Sequence, residues 1–461
     1  MIKGIRSAVF GVGAAVTVAL GAPGYATAET LTDALISAYD NSRLLEQNRA
    51  LLRAADEGVA SAMAALRPVI GFTADASVTD TDTASNLMSS SVGLGAELTL
   101  YEGGSNRLAV EAAKETVLAT RAGLLNVEQN VLLSAVQAYL DVRSATDNVR
   151  LSNNNVRVIT EQLRAARDRF EVGEVTRTDV SLAESALAAS QSAQVAAQGA
   201  LIVARENYKL AVGHYPEPLT GTLRVPGLPK TREEALDIAR RSHPTIDSAQ
   251  RSLTVADLNL LRARAARKPT ITMNAGITAT DSDIPSNDGT ASRIGIDLSQ
   301  PIYAGGAIAS AERAALANRE AAAANLHYVS QQVELGVGNA WAQLSIARAQ
   351  LEATDKQIRA AQLAFDGTRE EARLGSRTTL DVLDAEQDLL DARTARVQAE
   401  AAQYFAYYAV LSSMGLLTVE HLNLGIPTYD PAAYYNSVKG GPSRSIQGDK
   451  LDEVMKALGK K

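Results

Sequence analysis

The chain contains no cysteine. Disulfides, thiolate metal sites and a lipid anchor on an N-terminal cysteine are therefore excluded. Aromatic residues make up only 4% of its 461 positions. A large core needs Leu, Ile and Phe, whereas the abundant alanine here suits long helices packed closely together. Histidine occurs only at His214, His243, His327 and His421, with no paired spacing that would hold a metal. Past residue 28 no stretch offers the 18 or more apolar residues of a spanning helix, so a membrane role would have to come from strands. Basic charge is not in excess: the formal net charge is -7, which argues against a nucleic-acid partner. A Gly-x-Ser-x-Gly elbow is missing as well. Gly11-x-Gly13 lies in a leader, and Gly336-x-Gly338 lies in a helix that follows no strand. The expectation is a protein that is not an enzyme, with no catalytic residue, no metal ligand and no cofactor.

The leader is the first thing that is present. Lys3 and Arg6 precede an apolar run over 8–22, and Ala26-Thr27-Ala28 forms a small-x-small cleavage site. Residues 1–28 read as a secretory signal peptide, leaving Glu29 as the mature start. Losing Lys3 and Arg6 takes the net charge from -7 to -9.

The mature chain then says the same thing twice. Tyr101, Gly103 and Gly104 return as Tyr303, Gly305 and Gly306, and Val212-Gly213 returns as Met414-Gly415, all 202 residues on. Arg67-Pro68 returns as Lys268-Pro269 at an offset of 201, which places one residue of slippage between Pro68 and Tyr101. A period this long means a duplicated domain rather than a solenoid unit. The division expected is a first repeat over 29–213, with a β-hairpin over 68–101 and a long helical hairpin over 104–213. A linker over 214–230 leads to a second repeat over 231–415, with its hairpins over 269–303 and 305–415. A segment over 416–461 follows and ends in a flexible tail.

Each repeat is expected to run helix, strand, strand, long helix, turn, helix. First helices over 32–66 and 232–267 end at Pro68 and Pro269. Four strands of about ten residues alternate an apolar and a polar face, as in Ile70, Phe72, Ala74, Ala76 and Val78 against Gly71, Thr73, Asp75, Ser77 and Thr79. The fourth strand takes in Ile294, Ile296, Leu298 and Ile302. Such strands suit either an ordinary half-buried sheet or the wall of an outer-membrane barrel, and the secreted context and strand length favour the barrel. A membrane barrel needs at least about eight strands and no open edge, so four per chain would require oligomerisation. Proline-free helices over 106–171 and 307–373 would each span about 100 Å. A seven-residue apolar repeat, Val142, Val149, Val156, Leu163 and Phe170, and its counterpart Val337, Leu344, Leu351, Ile358 and Phe365, marks a left-handed coiled-coil seam. Gly173 and Gly375 reverse the chain.

The Glu29-Thr30-Leu31 start, the two proline-led strand pairs, the Tyr-x-Gly-Gly returns and above all Gly375-Ser376-Arg377-Thr378-Thr379-Leu380-Asp381-Val382-Leu383-Asp384-Ala385 carry a resemblance. Over nearly its whole mature length the chain is similar to TolC-type outer-membrane efflux proteins. That resemblance implies a mainly α protein with a small transmembrane β part. Three copies would form a 12-stranded β-barrel continuous with a 12-helix periplasmic α-barrel. It implies an export duct through the outer membrane of a Gram-negative bacterium, in contact with outer-membrane lipid. The duct would serve a tripartite efflux or type I secretion system. Its partners would be a periplasmic membrane-fusion adaptor and an inner-membrane pump of RND, ABC or MFS type, and its cargo drugs or proteins. Asp381 and Asp384 would line the constricted entrance as a carboxylate ring that selects cations. Crowding of like charges there would raise some of their pKa values. Arg377 would hold the entrance shut through Thr178 and Asp179 of the neighbouring hairpin, although Ala372 replaces the family tyrosine in that network. The tips, Val172-Gly173-Glu174-Val175 and Leu374-Gly375-Ser376, would dock the adaptor. The rival reading is a trimeric coiled-coil adhesin anchored in the outer membrane.

Overall fold

In the computed structural model the described residues are 29–81, 84–219, 223 and 225–439. The expected signal peptide over 1–28 and the tail after 439 lie outside them. Helices α1 (Leu31–Asn41) and α2 (Arg43–Ala64) lead into strands β1 (Val69–Thr81) and β2 (Ala84–Tyr101). Helices α3 (Ser105–Glu171) and α4 (Arg177–Val212) complete the first repeat. The second consists of α5 (Arg232–Ser242), α6 (Pro244–Ala265), β3 (Thr270–Ser282), β4 (Gly289–Ser299), α7 (Ala307–Arg373) and α8 (Thr379–Ser413). A short α9 (Pro431–Val438) closes the described chain.

Both long helices contain 67 residues and begin 202 apart, at Ser105 and Ala307. The offset of 201 persists through the ends of β1 and β3, and 202 holds from the facing pairs Val92↔Ala74 and Ile294↔Ala275. The slipped residue therefore lies between Thr81 and Val92, toward the far end of the β-hairpin.

Two expectations change. The single opening helix of each repeat is in fact two. At the second break Pro244 has no amide hydrogen and pushes its predecessor His243 into extended backbone, φ -70 and ψ 122. At the first, Ser42 breaks the helix and caps the next one by accepting from Leu45 N at 3.2 Å. Strand β4 stops at Ser299, one residue before Gln300-Pro301. Ile302 is therefore no ladder residue and stands 98% exposed.

The four strands form one antiparallel sheet in the order β1-β2-β3-β4. Its register collects the apolar residues on one face: Ile70, Ala96, Ala275 and Ile294 lie in one row, and Phe72, Leu94 and Ile277 in another. Phe72, Leu94, Ile294, Ile296 and Leu298 are all exposed in the single chain. The opposite face is polar, and there Asn274 donates to Asp297 between β3 and β4. Edges β1 and β4 have no partner strand among the described residues. Among those residues no helix is long and apolar enough to cross a membrane.

The principal core lies where α1, α2, α5 and α6 pack on the long helices, with Leu45, Leu52, Leu132, Tyr139, Leu344 and Leu411 buried. Glu29, the expected mature start, is tucked into it. Tyr208 donates to one of its carboxylate oxygens, and Glu217 N donates to the other at 3.1 Å. Helix α6 packs against both α3 and α7, and α8 packs against both α7 and α3. Among the described residues the first-repeat equivalents α2 and α4 pack on α3 and make no comparable contact with α7. One flank of the wall is thus satisfied inside the chain and its counterpart is open.

The candidate gate at the ends of the helical hairpins

The site is built from the last turns of α3 and α7 and the first turns of α4 and α8. At each hairpin a glycine in the left-handed region, Gly173 at φ 80 and Gly375 at φ 81, reverses the chain with little steric cost. Glu174 N donates to Arg169 O at 2.9 Å and Ser376 N to Glu371 O at 3.0 Å, satisfying carbonyls at the helix ends. One apolar side chain leads each tip, Val172 at 71% exposure and Leu374 at 79%. Glu174 is exposed beside Val172, and Val175 is half-buried.

A capping box starts each returning helix. Thr378 N and Oγ1 both donate to Asp381 Oδ2 at 2.8 Å, and Asp381 N donates back to Thr378 Oγ1 at 3.2 Å. In α4 Thr176 and Asp179 repeat the pattern, with donors at 2.9 and 2.7 Å. The amide of Thr378, with its hydroxyl second, holds the Asp381 carboxyl below the usual carboxylate range. Asp179 is lowered in the same way by Thr176, its hydroxyl first. Within one chain, then, Asp381 is set by its cap and not by crowding.

Asp384 stands on the same face, one turn on and exposed, and Asp388 and Asp391 continue the line. Arg377 Nε donates to Glu371 Oε2 at 3.0 Å, inside its own hairpin. Glu371 therefore raises the guanidinium pKa further, with Asp381 helping. Thr178 is exposed, and Asp179 is occupied by Thr176. The single chain thus brings Asp381 near Arg377, and Arg377 bonds Glu371 across its own turn rather than Thr178 or Asp179. Ala372, where the family has tyrosine, is buried with Phe365, Val382 and Leu389.

Two acidic residues escaped the sequence reading. Glu371 gave no signal, since it is one of several charges on the last turn of α7. Glu386 is only 4% exposed on α8. Burial pushes its carboxyl up, opposed by Arg393, Arg369 and Arg157 and assisted by Asp366. The clue was available: with Val382 and Leu389 it occupies an apolar stripe, where a carboxylate stands out.

The family model described as "Outer membrane efflux protein" matches residues 35–214 and again 235–416. The outer membrane efflux protein BepC of Brucella suis is 37% identical over 416 residues, 90% of this chain and 91% of its own. The outer membrane protein TolC of Vibrio cholerae is 25% identical over 79% of this chain and 86% of its own. Among solved structures the transmembrane channel CusC has a TM-score of 0.76 at 20% identity, covering 84% of this chain and 92% of that one. The architecture is that of an outer-membrane channel. The chain belongs to the outer membrane efflux protein family. It is an export duct of the outer membrane and not an enzyme.

Proposed function

We propose that three copies of the chain, each released from its leader at Ala28, close into a single duct of twelve strands above twelve helices. The repeats over 29–213 and 231–415 act as two near-equivalent staves, with 214–230 between them and the segment after 415 bracing the middle. The observation that carries this reading is the four-stranded sheet with an exposed apolar face and two unpaired edges, rooted on helices about 100 Å long. Lipid covers such a face, and only neighbouring strands satisfy such edges. The unequal flanks point the same way: among the described residues α2 and α4 make no packing with α7 comparable to that of α6 and α8 with α3. A second copy supplies it, and repetition around an axis closes the ring.

Asp381 and Asp384 from three chains form the carboxylate ring at the narrow periplasmic end and favour cations there. Arg377 exchanges its own Glu371 for Thr178 and Asp179 of a neighbouring hairpin when the entrance closes. The apolar tips Val172 and Leu374, with Gly173, Glu174, Val175, Gly375 and Ser376, receive a periplasmic adaptor that links the duct to an inner-membrane pump of RND, ABC or MFS type. Drugs or secreted proteins pass outward, driven by that pump. The α3–α4 and α7–α8 turns run the helices back on themselves, which disfavours a one-way adhesin stalk.

Single-channel conductance of the mature protein in planar bilayers tests this. A cation-preferring conductance is expected, and Asp381→Ala with Asp384→Ala should abolish the preference. A preference unchanged in the double variant would remove the ring from these residues. A folded trimer that never conducts, even with Arg377→Ser, would remove the duct itself.

A further inference from the structure

The level where strands meet helices carries an excess of positive charge, although the chain as a whole is acidic. The lowest apolar-face residues of the sheet are Ile70, Leu98, Ile271 and Leu298. Immediately below them the exposed side chains include Arg67, Arg107, Arg264, Arg267, Lys268 and Arg313, against the exposed Glu111, which pairs with Lys114 at 2.8 Å, and the half-buried Glu102 and Glu312. Glu312 is shared by Arg264 at 3.1 Å and Arg267 at 2.5 Å, so positive charge remains in excess. The other end of the same sheet is acidic, with Asp80, Asp281, Asp283 and Asp288 exposed. A chain with a net charge of -7 thus carries a local excess of basic residues at this height.

That height is set by the backbone. Arg67 lies three residues below Ile70, and Lys268 and Arg267 lie three and four below Ile271. Arg67 and Lys268 lie in the turns that end α2 and α6, and the chain above them rises at most about 3.3 Å per residue, which puts these charges within about 10 Å of the apolar band. The headgroup layer is about 5–8 Å thick on each side, and long Arg and Lys side chains reach back into it. Gly103 secures the placement. Lys268 Nζ donates to its carbonyl at 3.3 Å, and any Cβ there would lie 2.7 Å from Lys268 Cδ. Tyr101, paired with Ile271 at the end of β2, remains 44% exposed at this level. Such a ring sits well at a membrane interface.

We infer that this basic collar is a binding surface for the phosphate headgroups of anionic phospholipids in the periplasmic leaflet of the outer membrane. The helical wall fixes the leaflet, because the collar lies on the helix side of the sheet and the acidic loops lie on the other. The surface seats the duct at a defined depth and opposes its sliding along the membrane normal. The inference rests on the outer-membrane placement alone, so it survives even if the gate lies elsewhere.

The test is native mass spectrometry of the full protein released from bilayers of phosphatidylethanolamine containing one fifth phosphatidylglycerol. The ratio of co-purifying phosphatidylglycerol to phosphatidylethanolamine is expected at about five times the bulk ratio, the preference that one favourable basic contact confers. Arg67→Gln, Arg267→Gln and Lys268→Gln together should return it to the bulk ratio, while Arg67→Lys, Arg267→Lys and Lys268→Arg should retain it. Arg107→Gln with Arg313→Gln, residues without a bonding partner among those described, should lower the enrichment about twofold without disturbing the fold. Enrichment that is absent in the natural protein, or unchanged in both neutralised variants, overturns the proposal. Enrichment of lipid A but not phosphatidylglycerol, when each is offered separately, overturns the leaflet.

Discussion

Helices α4 and α8 begin alike, each with a threonine capping an aspartate three residues on, and they diverge after the first turn. Where α8 carries Asp384, Asp388 and Asp391, the equivalent residues of α4 are Leu182, Ala186 and Ala189. A conserved arginine–glutamate couple also behaves differently in the two hairpins. In the first, Arg167 bonds Glu184 at 2.7 Å across an exposed helix pair. In the second, Arg369 leans over the Phe365 ring at 5.6 Å, and its partner Glu386 is buried where α8 meets α3. Duplication supplied one backbone twice. The seam between repeats then placed equivalent residues in unequal surroundings, free to take unequal roles.

The largest effect should come from making the hairpins alike. Asp384→Leu installs the first-repeat residue and is expected to cut cation preference severalfold, read from the reversal potential under a salt gradient. Leu182→Asp, the reciprocal change, should leave selectivity near that of the natural protein. Equal effects from both would erase the distinction between the hairpins.

Glu386 and Glu184 provide the next contrast. Because burial raises the Glu386 pKa, the proton it binds stabilises the packed seam. That contribution is complete below the ordinary value of 4.5 and is lost as pH rises through the raised one. Glu386→Gln should therefore tighten the seam at pH 8 by about 1–2 kcal/mol and flatten its pH dependence. Glu184→Gln should cost about 0.2–1 kcal/mol, as an exposed pair does. Amide exchange along α3 and α8 between pH 5 and 8 would register both; a seam that loosens in Glu386→Gln would mean that its arginines outweigh desolvation.

The smallest difference is expected at the caps. Thr378→Ala and Thr176→Ala should each weaken the start of their helices by about 1 kcal/mol, and equally, because the two boxes have the same geometry. The lowered pKa of Asp381 means that its stabilisation is present above 3.8 and is lost as pH falls through the depressed value. Thr378→Ala should thus move acid fraying of α8 to higher pH, visible by exchange at its first turn. A much larger loss at one cap would show that the turn itself differs.

Most of the fold was legible because its signals are periodic and occur twice. Alternating strands, proline-free helices with a heptad seam and glycine turns each appear in both repeats in the same order, so each repeat checks the other. The break at Ser42 was harder to see, since a serine in a helical pattern is tolerated as readily as it caps; His243-Pro244 in the second repeat was the plainer sign. At the gate, the capping role of Asp179 and Asp381 follows from Thr-x-x-Asp spacing, whereas the Arg377–Glu371 bond depends on how the turn folds back.

From sequence alone came the duplication, the order of elements, the two-faced strands and the residues at the hairpin ends, because these depend on local spacing and on which side chains tolerate water. Tertiary structure alone decided that β2 pairs with β3 across the repeats, that α6 and α8 reach α3 while α2 and α4 stand open toward α7, and that Glu386 is buried while Glu184 is not. Those outcomes join residues some two hundred positions apart, and identical local patterns carry no record of which neighbour each copy will meet.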